Sequence, residues 1–294
     1  MPAVAPWPLT GGIALPPGPA KENSGIVRGR LWPDAFWMHN DSGDEPRIYP
    51  VHRDGSPFAT ERDNDVPPGM LIGGAINVDW EDIAADSAGH LIIADIGNNG
   101  NNRRDLTLYY LAEPAPTAER TRVLRAVHLR YPDQKHFPAR ADDFNYDAEA
   151  IFTLGEQVYI LTKHRSDTAA TLYRYDPNAK KAAKAATKKA VKLDLVDRFE
   201  FGGQVTAADA TADGKRLLVA TYNAFWLFQI DDAKQPLRGS VSWLPFEGPK
   251  QIEAVCFADE STLLAADEIT GMLFAAPLDA FHAVNGVAPI VSAK

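Results

Sequence analysis

Short apolar runs recur along the chain, and segments rich in Gly, Asp, Asn and Pro separate them. The clearest runs are 35–38, 91–94, 158–161, 217–220 and 263–266. Runs of this length between turn-forming residues are typical of buried strands, and the 3.6-residue period of a long amphipathic helix is almost absent. The pattern predicts an all-β fold.

The runs belong to a repeat. Each run begins nine to eleven residues after the start of a second short segment, at 24–26, 81–83, 149–151, 208–210 and 253–255. Turn sequences such as 212–215 lie between the two, which is the spacing of a hairpin. A third strand follows each run, at 47–51, 106–110, 171–175, 225–228 and 272–274, and a fourth is expected within 123–129, 191–201 and 239–244.

Repeated units of four antiparallel strands predict a β-propeller, because each unit forms one blade of a closed ring. We count five blades within a single domain over 1–294, with a sixth blade inside 105–147 as the alternative. Residues 1–21 are expected to be extended, and 7–10 to add a strand to the last blade. The lysine-rich stretch 180–192 is interpreted as a solvated hairpin tip.

Composition narrows the classes of partner. The chain has 294 residues, of which 30 are Lys or Arg and 39 are Asp or Glu, giving a net charge of −9. An acidic chain without a basic face is a poor binder of nucleic acid or anionic membrane, so a cationic partner fits better. A small-molecule substrate or ligand at the central channel and a monomeric protein are also expected. The single Cys256 excludes an internal disulfide and is predicted to fill core. The Pro-rich start favours an extracellular or periplasmic protein, with a cytoplasmic one as the alternative.

The candidate chemistry follows from the position of acids in the repeat. The innermost strand of a blade lines the central channel, and its start lies beside the end of the next strand. Three such starts carry paired acidic or amide residues, at 79 and 81, 147 and 149, and 251 and 253. The neighbouring strand ends contribute polar residues at 39–41, 95–99, 163–164, 221–223 and 267–268. These side chains are predicted to converge on one rim.

Several carboxylates around a narrow channel repel one another, and burial increases the cost. A divalent cation, Ca²⁺ by its preference for oxygen ligands, would neutralise them. Asp41 and Asn98 lie in rim loops and are candidate ligands beside the channel acids. The alternative is that the acids pair with Lys163, Arg103 or Arg104, or with backbone N–H groups.

Four segments carry a resemblance to a known family: Trp-Glu-Asp-Ile-Ala at 80–84, Asp-Ile-Gly-Asn-Asn at 95–99, Asp-Ala-Glu-Ala at 147–150 and Val-Thr-Ala-Ala-Asp at 205–209. Together they resemble a bacterial family of predicted β-propellers that is similar to gluconolactonase-like, strictosidine-synthase-like and phytase-like propellers. The resemblance spans about 22–276. It implies a rim site for a divalent cation, often calcium, used for lactone or ester hydrolysis, and Glu81, Asp95, Glu149 and Glu253 match its acidic positions.

The leading hypothesis is a metal-dependent hydrolase of a small ester, lactone or phosphate ester at the channel mouth. Glu149, His39 or His164 would take the proton, with Lys163 beside them. The alternative is a non-catalytic propeller that binds a carbohydrate, peptide or protein and holds the metal as a structural element. No Gly-x-Ser-x-Gly, Walker or His-Glu-x-x-His motif supports other hydrolase classes.

Overall fold

The computed structural model describes residues 4–58, 69–179 and 190–284. Within these ranges the chain forms 24 strands and two short 3-10 turns, Ala141–Asp143 and Leu278–Ala280. The strands are β1 (Trp7–Pro8), β2 (Ile13–Ala14), β3 (Asn23–Arg28), β4 (Phe36–Asn40), β5 (Arg47–Val51), β6 (Met70–Gly73), β7 (Trp80–Ala85), β8 (His90–Asp95), β9 (Thr107–Ala112), β10 (Arg120–Arg122), β11 (Arg125–Arg130), β12 (Asp147–Leu154), β13 (Gln157–Lys163), β14 (Ala169–Tyr175), β15 (Val191–Lys192), β16 (Asp194–Glu200), β17 (Val205–Ala210), β18 (Arg216–Thr221), β19 (Ala224–Gln229), β20 (Val241–Glu247), β21 (Ile252–Phe257), β22 (Thr262–Asp267), β23 (Met272–Pro277) and β24 (His282–Ala283).

These strands form five sheets, each a four-stranded blade with or without an added edge strand. In sequence order the blades are β3–β6, β7–β9 with β11, β12–β14 with β16, β17–β20, and β21–β23 with β2. The first strands of the blades pack side by side in a closed ring, with β21 returning to β3. The prediction of an all-β, five-bladed propeller is therefore confirmed. The segment proposed for a sixth blade supplies the outer strands of the second blade.

Neighbouring blades are linked at their outer edges. The short strand that precedes the outer strand of one blade reaches back and pairs in parallel with the outer strand of the blade before it: β10 with β6, β15 with β11, and β1 with β20. These additions cover backbone groups that an outer edge would otherwise expose.

The N-terminal segment is divided between two blades. β2 pairs with β23 and supplies the outer strand of the fifth blade, so the two ends of the ring are joined by hydrogen bonds. β1 pairs with β20 of the fourth blade, and the amide of Leu9 continues this pairing to the carbonyl of Glu247. The segment 7–10 therefore joins the fourth blade, not the last one as the sequence suggested.

The core lies between adjacent blades, because each sheet packs its two faces against two neighbours. Trp37 and Trp80 are buried between the first and second blades, and Trp226 between the third and fourth. Cys256 is buried between the fifth and first blades. Burial on both faces explains why the strands appear in the sequence as continuous apolar runs instead of an alternating pattern.

Two further observations concern membrane-spanning helices and the lysine-rich stretch. Among the residues that the structure describes, none forms a helix of the length and apolar character needed to cross a bilayer. Most of the lysine-rich stretch, residues 180–189, lies outside the described residues.

Candidate functional site at the channel mouth

All five inner strands carry a bulge at the same place, two residues or fewer from their start. The register with the next strand skips one residue there, and the skipped residues are Ser24, Glu81, Glu149, Thr206 and Glu253. A bulge redirects a side chain that regular pairing would place on a sheet face. The repeat therefore supplies five equivalent side chains around the channel, and three of them are glutamates.

Four of these bulge residues line a cavity of about 270 Å³ that all five blades enclose. Every lining residue has a polar or charged side chain. The set is Ser24, Asp41, Glu81, Asn99, Glu149, Lys163, Arg165, Tyr222, Gln251, Glu253 and Glu268. Glu81, Glu149, Lys163 and Glu253 are buried, whereas Asp41, Tyr222, Gln251 and Glu268 are half-buried. The cavity is thus a polar pocket with a buried floor and a wall that solvent reaches.

One group of three acids, two of which line the pocket, has no salt bridge to a cation among the described residues. Asp41, Asp79 and Glu81 each place a carboxylate oxygen within 4.8 Å of the other two. Among the described residues, no lysine or arginine forms a salt bridge with any of the three. Burial, and then the charge of Asp41, raise the pKa of Asp79 to about 6. Burial, and then Glu149, raise the pKa of Glu81 well above its usual range. Without a cation, burial and mutual repulsion therefore favour the protonated forms of these acids.

A glycine makes room for these carboxylates. Gly97 donates its backbone N–H to the carbonyl of Asp79 at 3.1 Å. A Cβ atom at this position would overlap the carboxyl groups of both Asp79 and Glu81. The glycine of the Asp-Ile-Gly segment therefore serves a close approach of side chains, since its φ is not in the left-handed region.

The third blade contributes acids that are already neutralised. The Nζ atom of Lys163 lies 3.1 Å from Glu149 Oε2 and 3.9 Å from Glu253 Oε1. Arg165 donates to Asp147 Oδ2 at 2.6 Å and also contacts Asn99. Burial lowers the pKa of Lys163, but the two glutamates more than offset this, so the net shift is upward. Lys163 is therefore a fixed cation.

The fifth blade completes the wall with a hydrogen-bonded chain. The hydroxyl of Tyr222 donates to Glu253 Oε1 at 2.8 Å, and Gln251 Nε2 donates to Glu253 at 2.9 Å and to Glu268 at 2.6 Å. Burial, and then the charge of Glu253, raise the pKa of Glu268 to about 7. Glu268 is half-buried at the mouth, so it is an acid that exchanges protons with solvent near neutral pH.

The structure brings five of the predicted site residues to the pocket: Asp41, Glu81, Glu149, Lys163 and Glu253. Asp41 has a raised pKa, caused first by burial. Their convergence follows from the repeat, because each lies at a strand start or a strand end on the same rim.

The remaining predicted residues lie outside the pocket. Asp95 accepts from Arg103 at 2.8 Å and from the amide of Asp79 at 3.2 Å. Asn98 holds its own loop, because its Oδ1 accepts from the amides of Asn102 and Arg103. Its Nδ2 donates to the carbonyl of residue 146 at 2.8 Å, which ties the second blade to the third.

Neither predicted histidine reaches the pocket. His39 is fully buried, with Nδ1 3.1 Å from the carbonyl of Asn40 and its ring edge-on to Trp80. Both ring nitrogens of His164 are engaged, Nδ1 with Asp167 at 2.6 Å and Nε2 with Thr171 at 3.0 Å. The titratable groups that line the pocket are therefore its carboxyl groups, Lys163, Arg165 and the Tyr222 hydroxyl.

Seven residues of the site were not among the predicted ligands and catalytic residues: Ser24, Asp79, Asn99, Arg165, Tyr222, Gln251 and Glu268. Asp79 and Glu268 carry a sequence signal, since one lies two residues before Glu81 and the other directly follows a strand end. Ser24, Asn99, Tyr222 and Gln251 also fall in the repeat segments, strand starts and strand ends that the sequence indicated. Arg165 carries no such signal, because it lies in the loop beyond the predicted strand end.

A divalent cation fits the unpaired acids. Their donor atoms are carboxylate oxygens, which hard cations such as Ca²⁺ prefer. Of the residues that the structure describes, none with an imidazole or thiol lines the pocket, so the donor set does not suit zinc or copper. The oxygens of Asp41, Asp79 and Glu81 would hold the ion, with the carboxyl of Glu149 adjacent to Glu81.

The comparisons with known proteins concern the fold and identify no residue of this site. No protein-family profile and no curated protein matches the sequence. In fold, the chain is similar to the PQQ-bound aldose sugar dehydrogenase of Streptomyces coelicolor, with 12% sequence identity over 92% of this chain and 99% of that chain and a TM-score of 0.48. The protein is a β-propeller on its own sheet topology. The motif resemblance to a narrower family stays a prediction.

Proposed function

We propose that the channel mouth binds a divalent cation, Ca²⁺ by its donor set, and that the loaded site hydrolyses a small, polar ester, lactone or phosphate ester. The observation that carries the proposal is the group Asp41, Asp79 and Glu81, whose carboxylates lie within 4.8 Å of one another without a lysine or arginine partner among the described residues. Acids placed this way raise the free energy of the protein unless protons or a cation neutralise them.

The proposed chemistry is shared by the cation and two other charged residues of the pocket, Glu268 as the proton acceptor and Lys163 as a fixed positive charge. When bound, such a cation polarises a carbonyl or phosphoryl oxygen and lowers the pKa of a bound water. Glu268 is the acid best suited to accept a proton, because its pKa of about 7 matches neutral pH and its side chain is half-buried at the mouth. Lys163 fixes Glu149 and Glu253 in place.

The lining also limits the substrate. All the residues around the cavity are polar, so a bulky apolar group would have no surface to pack against. The volume of about 270 Å³ admits a small molecule only. This favours a small substrate rich in hydrogen-bonding groups.

Cation binding is tested by calorimetric titration of chelator-treated protein with Ca²⁺ and Mg²⁺. Asp79→Asn should weaken Ca²⁺ binding by about tenfold or more, and Gly97→Ala should do so without removing a ligand. Glu260→Gln is the matched control, because Glu260 is an exposed acid in the turn at the opposite end of the fifth blade. A wild-type protein that binds neither cation would contradict the proposal.

Hydrolysis is tested with a panel of small nitrophenyl esters, lactones and nitrophenyl phosphates, with Ca²⁺ and with chelator. Calcium-dependent turnover that Glu268→Gln lowers while Ca²⁺ affinity is kept would support the enzymatic proposal. Calcium binding without turnover across the panel would favour the second function, a non-catalytic propeller in which the metal is structural.

A further inference from the structure

A second, larger cavity lies between the fifth and first blades. Its volume is about 810 Å³, and it shares no lining residue with the channel-mouth pocket. Arg28 lines it at the end of β3, whereas Ser24, near the start of the same strand, lines the channel mouth. The two cavities are therefore at opposite ends of the first blade. The volume is in the range of roughly 300–1,000 Å³ that small-molecule sites occupy.

The interface that holds this cavity has the fewest aromatic side chains. Among the residues that the structure describes, the buried cluster between the fifth and first blades contains two, Phe36 and Tyr49. The buried clusters of the other four interfaces contain three to six each. Aromatic side chains are the largest apolar groups that a core can use to fill space. This interface therefore keeps open a space that the repeat fills elsewhere.

The outer edge of the fifth blade leaves the cavity accessible. β2 forms only two residue pairs with β23, and the pairing ends at Leu273. Gly11, with a φ of 70°, lies between β1 and β2, where the chain passes from the fourth blade to the fifth. Ala275 lies two residues beyond Leu273 on the same face of β23, is exposed and lines the cavity. A ligand can therefore enter beside this residue.

Arg28 supplies a positive charge to the cavity. Its side chain is half-buried, and its Nε donates to the carbonyl of Pro33 at 2.8 Å. That hydrogen bond holds the guanidinium group in place. Among the described residues, the group forms no salt bridge, and its two terminal nitrogens have no hydrogen-bond partner. Arg28 is thus a positioned cation with donors available to a ligand.

The other charged side chains of the cavity are engaged or exposed. Arg53 lies 2.5 Å from Asp259 in a salt bridge that crosses from the first blade to the fifth. Asp54 accepts from the amide of Ser56 at 3.0 Å and from its hydroxyl at 2.6 Å. Asp34 is exposed. The free donors at the end of β3 are therefore the strongest polar feature that the cavity offers to a ligand.

We propose that this cavity binds a small amphiphilic carboxylate. The apolar chain or ring of the ligand packs against Phe36, Leu264 and Leu273, which line the cavity and belong to the buried cluster beside it. The carboxylate accepts hydrogen bonds from Arg28, because a guanidinium group matches a carboxylate through two parallel N–H donors. This binding does not depend on the cation proposed for the channel mouth.

The test is calorimetric titration with decanoate and with decylamine, which has the same chain and the opposite charge. Chelator is present, so that decanoate finds no Ca²⁺ at the channel mouth. Wild type should bind decanoate at least about tenfold more tightly than decylamine, and Arg28→Gln should weaken decanoate binding by about tenfold or more. Ala275→Trp should weaken it as much, because the indole fills the cavity from an exposed position. Arg130→Gln is the control, since Arg130 is an exposed arginine of the second blade, and it should stay within about twofold of wild type.

Three results would overturn the inference. One is a wild-type protein that does not bind decanoate, and another is equal affinity for decanoate and decylamine. The third is decanoate binding that Ala275→Trp leaves within about twofold of wild type, which would place the ligand elsewhere. Thermal unfolding without ligand identifies variants that do not fold, and Ala275→Trp decides the outcome if Arg28→Gln is one of them. A protein without divalent-cation binding would contradict the proposed function and leave this inference standing.

Discussion

His39 should make the protein less stable as the pH falls below neutral. The side chain is fully buried between the first two blades, and burial lowers its pKa from 6.5 to about 4. The backbone groups of Asn40 and Asp82 favour the charged form but only partly offset this effect. Because the folded-state pKa is depressed, the unfolded chain takes up a proton first, and stability is lost as the pH falls from 6.5 toward 4.

The size of this effect on stability follows from the difference between the pKa values of His39 in the unfolded and folded states. A difference of about 2.5 pKa units corresponds to about 3 kcal/mol at full development, since each unit is about 1.4 kcal/mol. The buried acids respond in the opposite direction, so the wild-type curve alone does not isolate His39. The comparison with His39→Phe does, because phenylalanine keeps a ring beside Trp80 and removes the titratable group.

Urea unfolding of both proteins in chelator, at several pH values from 7.5 to 4.5, measures the effect. The variant is expected to be less stable at pH 7.5, since it loses the contact between Nδ1 and the carbonyl of Asn40. The gap should shrink by about 2.5 kcal/mol by pH 4.5, with unchanged m values. Two stability curves that stay parallel across this range would refute the reasoning.

Two further predictions concern the acids of the pocket. In chelator at pH 7.5, Glu149→Gln should destabilise the protein by about 1–3 kcal/mol, because Lys163 loses the carboxylate that lies 3.1 Å away. Glu81→Gln should instead stabilise the protein, because Glu81 has no salt bridge to a lysine or arginine among the described residues. Urea unfolding of the two variants measures the sign of each change in stability. The raised pKa values of Asp79, about 6, and Glu268, about 7, mean that the folded state holds protons which the unfolded chain has lost. In the His39→Phe variant, which lacks the opposing titration of His39, metal-free stability should therefore fall as the pH rises from 5 to 7.5, and Ca²⁺ should flatten this dependence, as melting curves with and without the ion would show.

Much of the fold could be predicted because each blade is buried on both faces. Runs such as 91–94 and 217–220 are continuous and apolar for that reason, and their repetition fixed the number of blades. The short edge strands could not be predicted from the sequence. β2 and β15 have two residues each. They are strands only because they pair with the edge of a blade formed elsewhere in the chain, so the local sequence carries no pattern that marks them.

The candidate site also has residues that the sequence repeat predicts and residues that it does not. Glu81, Glu149 and Glu253 were placed together because they occupy one position of a repeat. Asn98 and His164 were misplaced for the opposite reason, since their partners lie outside the repeat pattern: Asn98 binds the backbone of the next blade, and His164 binds a loop aspartate. Residue type alone does not separate a metal ligand from a side chain that holds a loop.

The bulge explains how a symmetric ring produces an asymmetric site. All five blades skip a residue at the same point, so the feature belongs to the architecture, whereas the side chain at that point differs from blade to blade. Lys163 and Arg165 neutralise the acids of the third blade, whereas among the described residues no lysine or arginine forms a salt bridge with Asp79 or Glu81. Acids without a salt bridge among the described residues therefore lie at Asp41, Asp79 and Glu81 in the first two blades and at Glu268 in the fifth. Asp41, Glu81 and Glu268 line the same pocket, so a ligand there would lie next to both groups of acids.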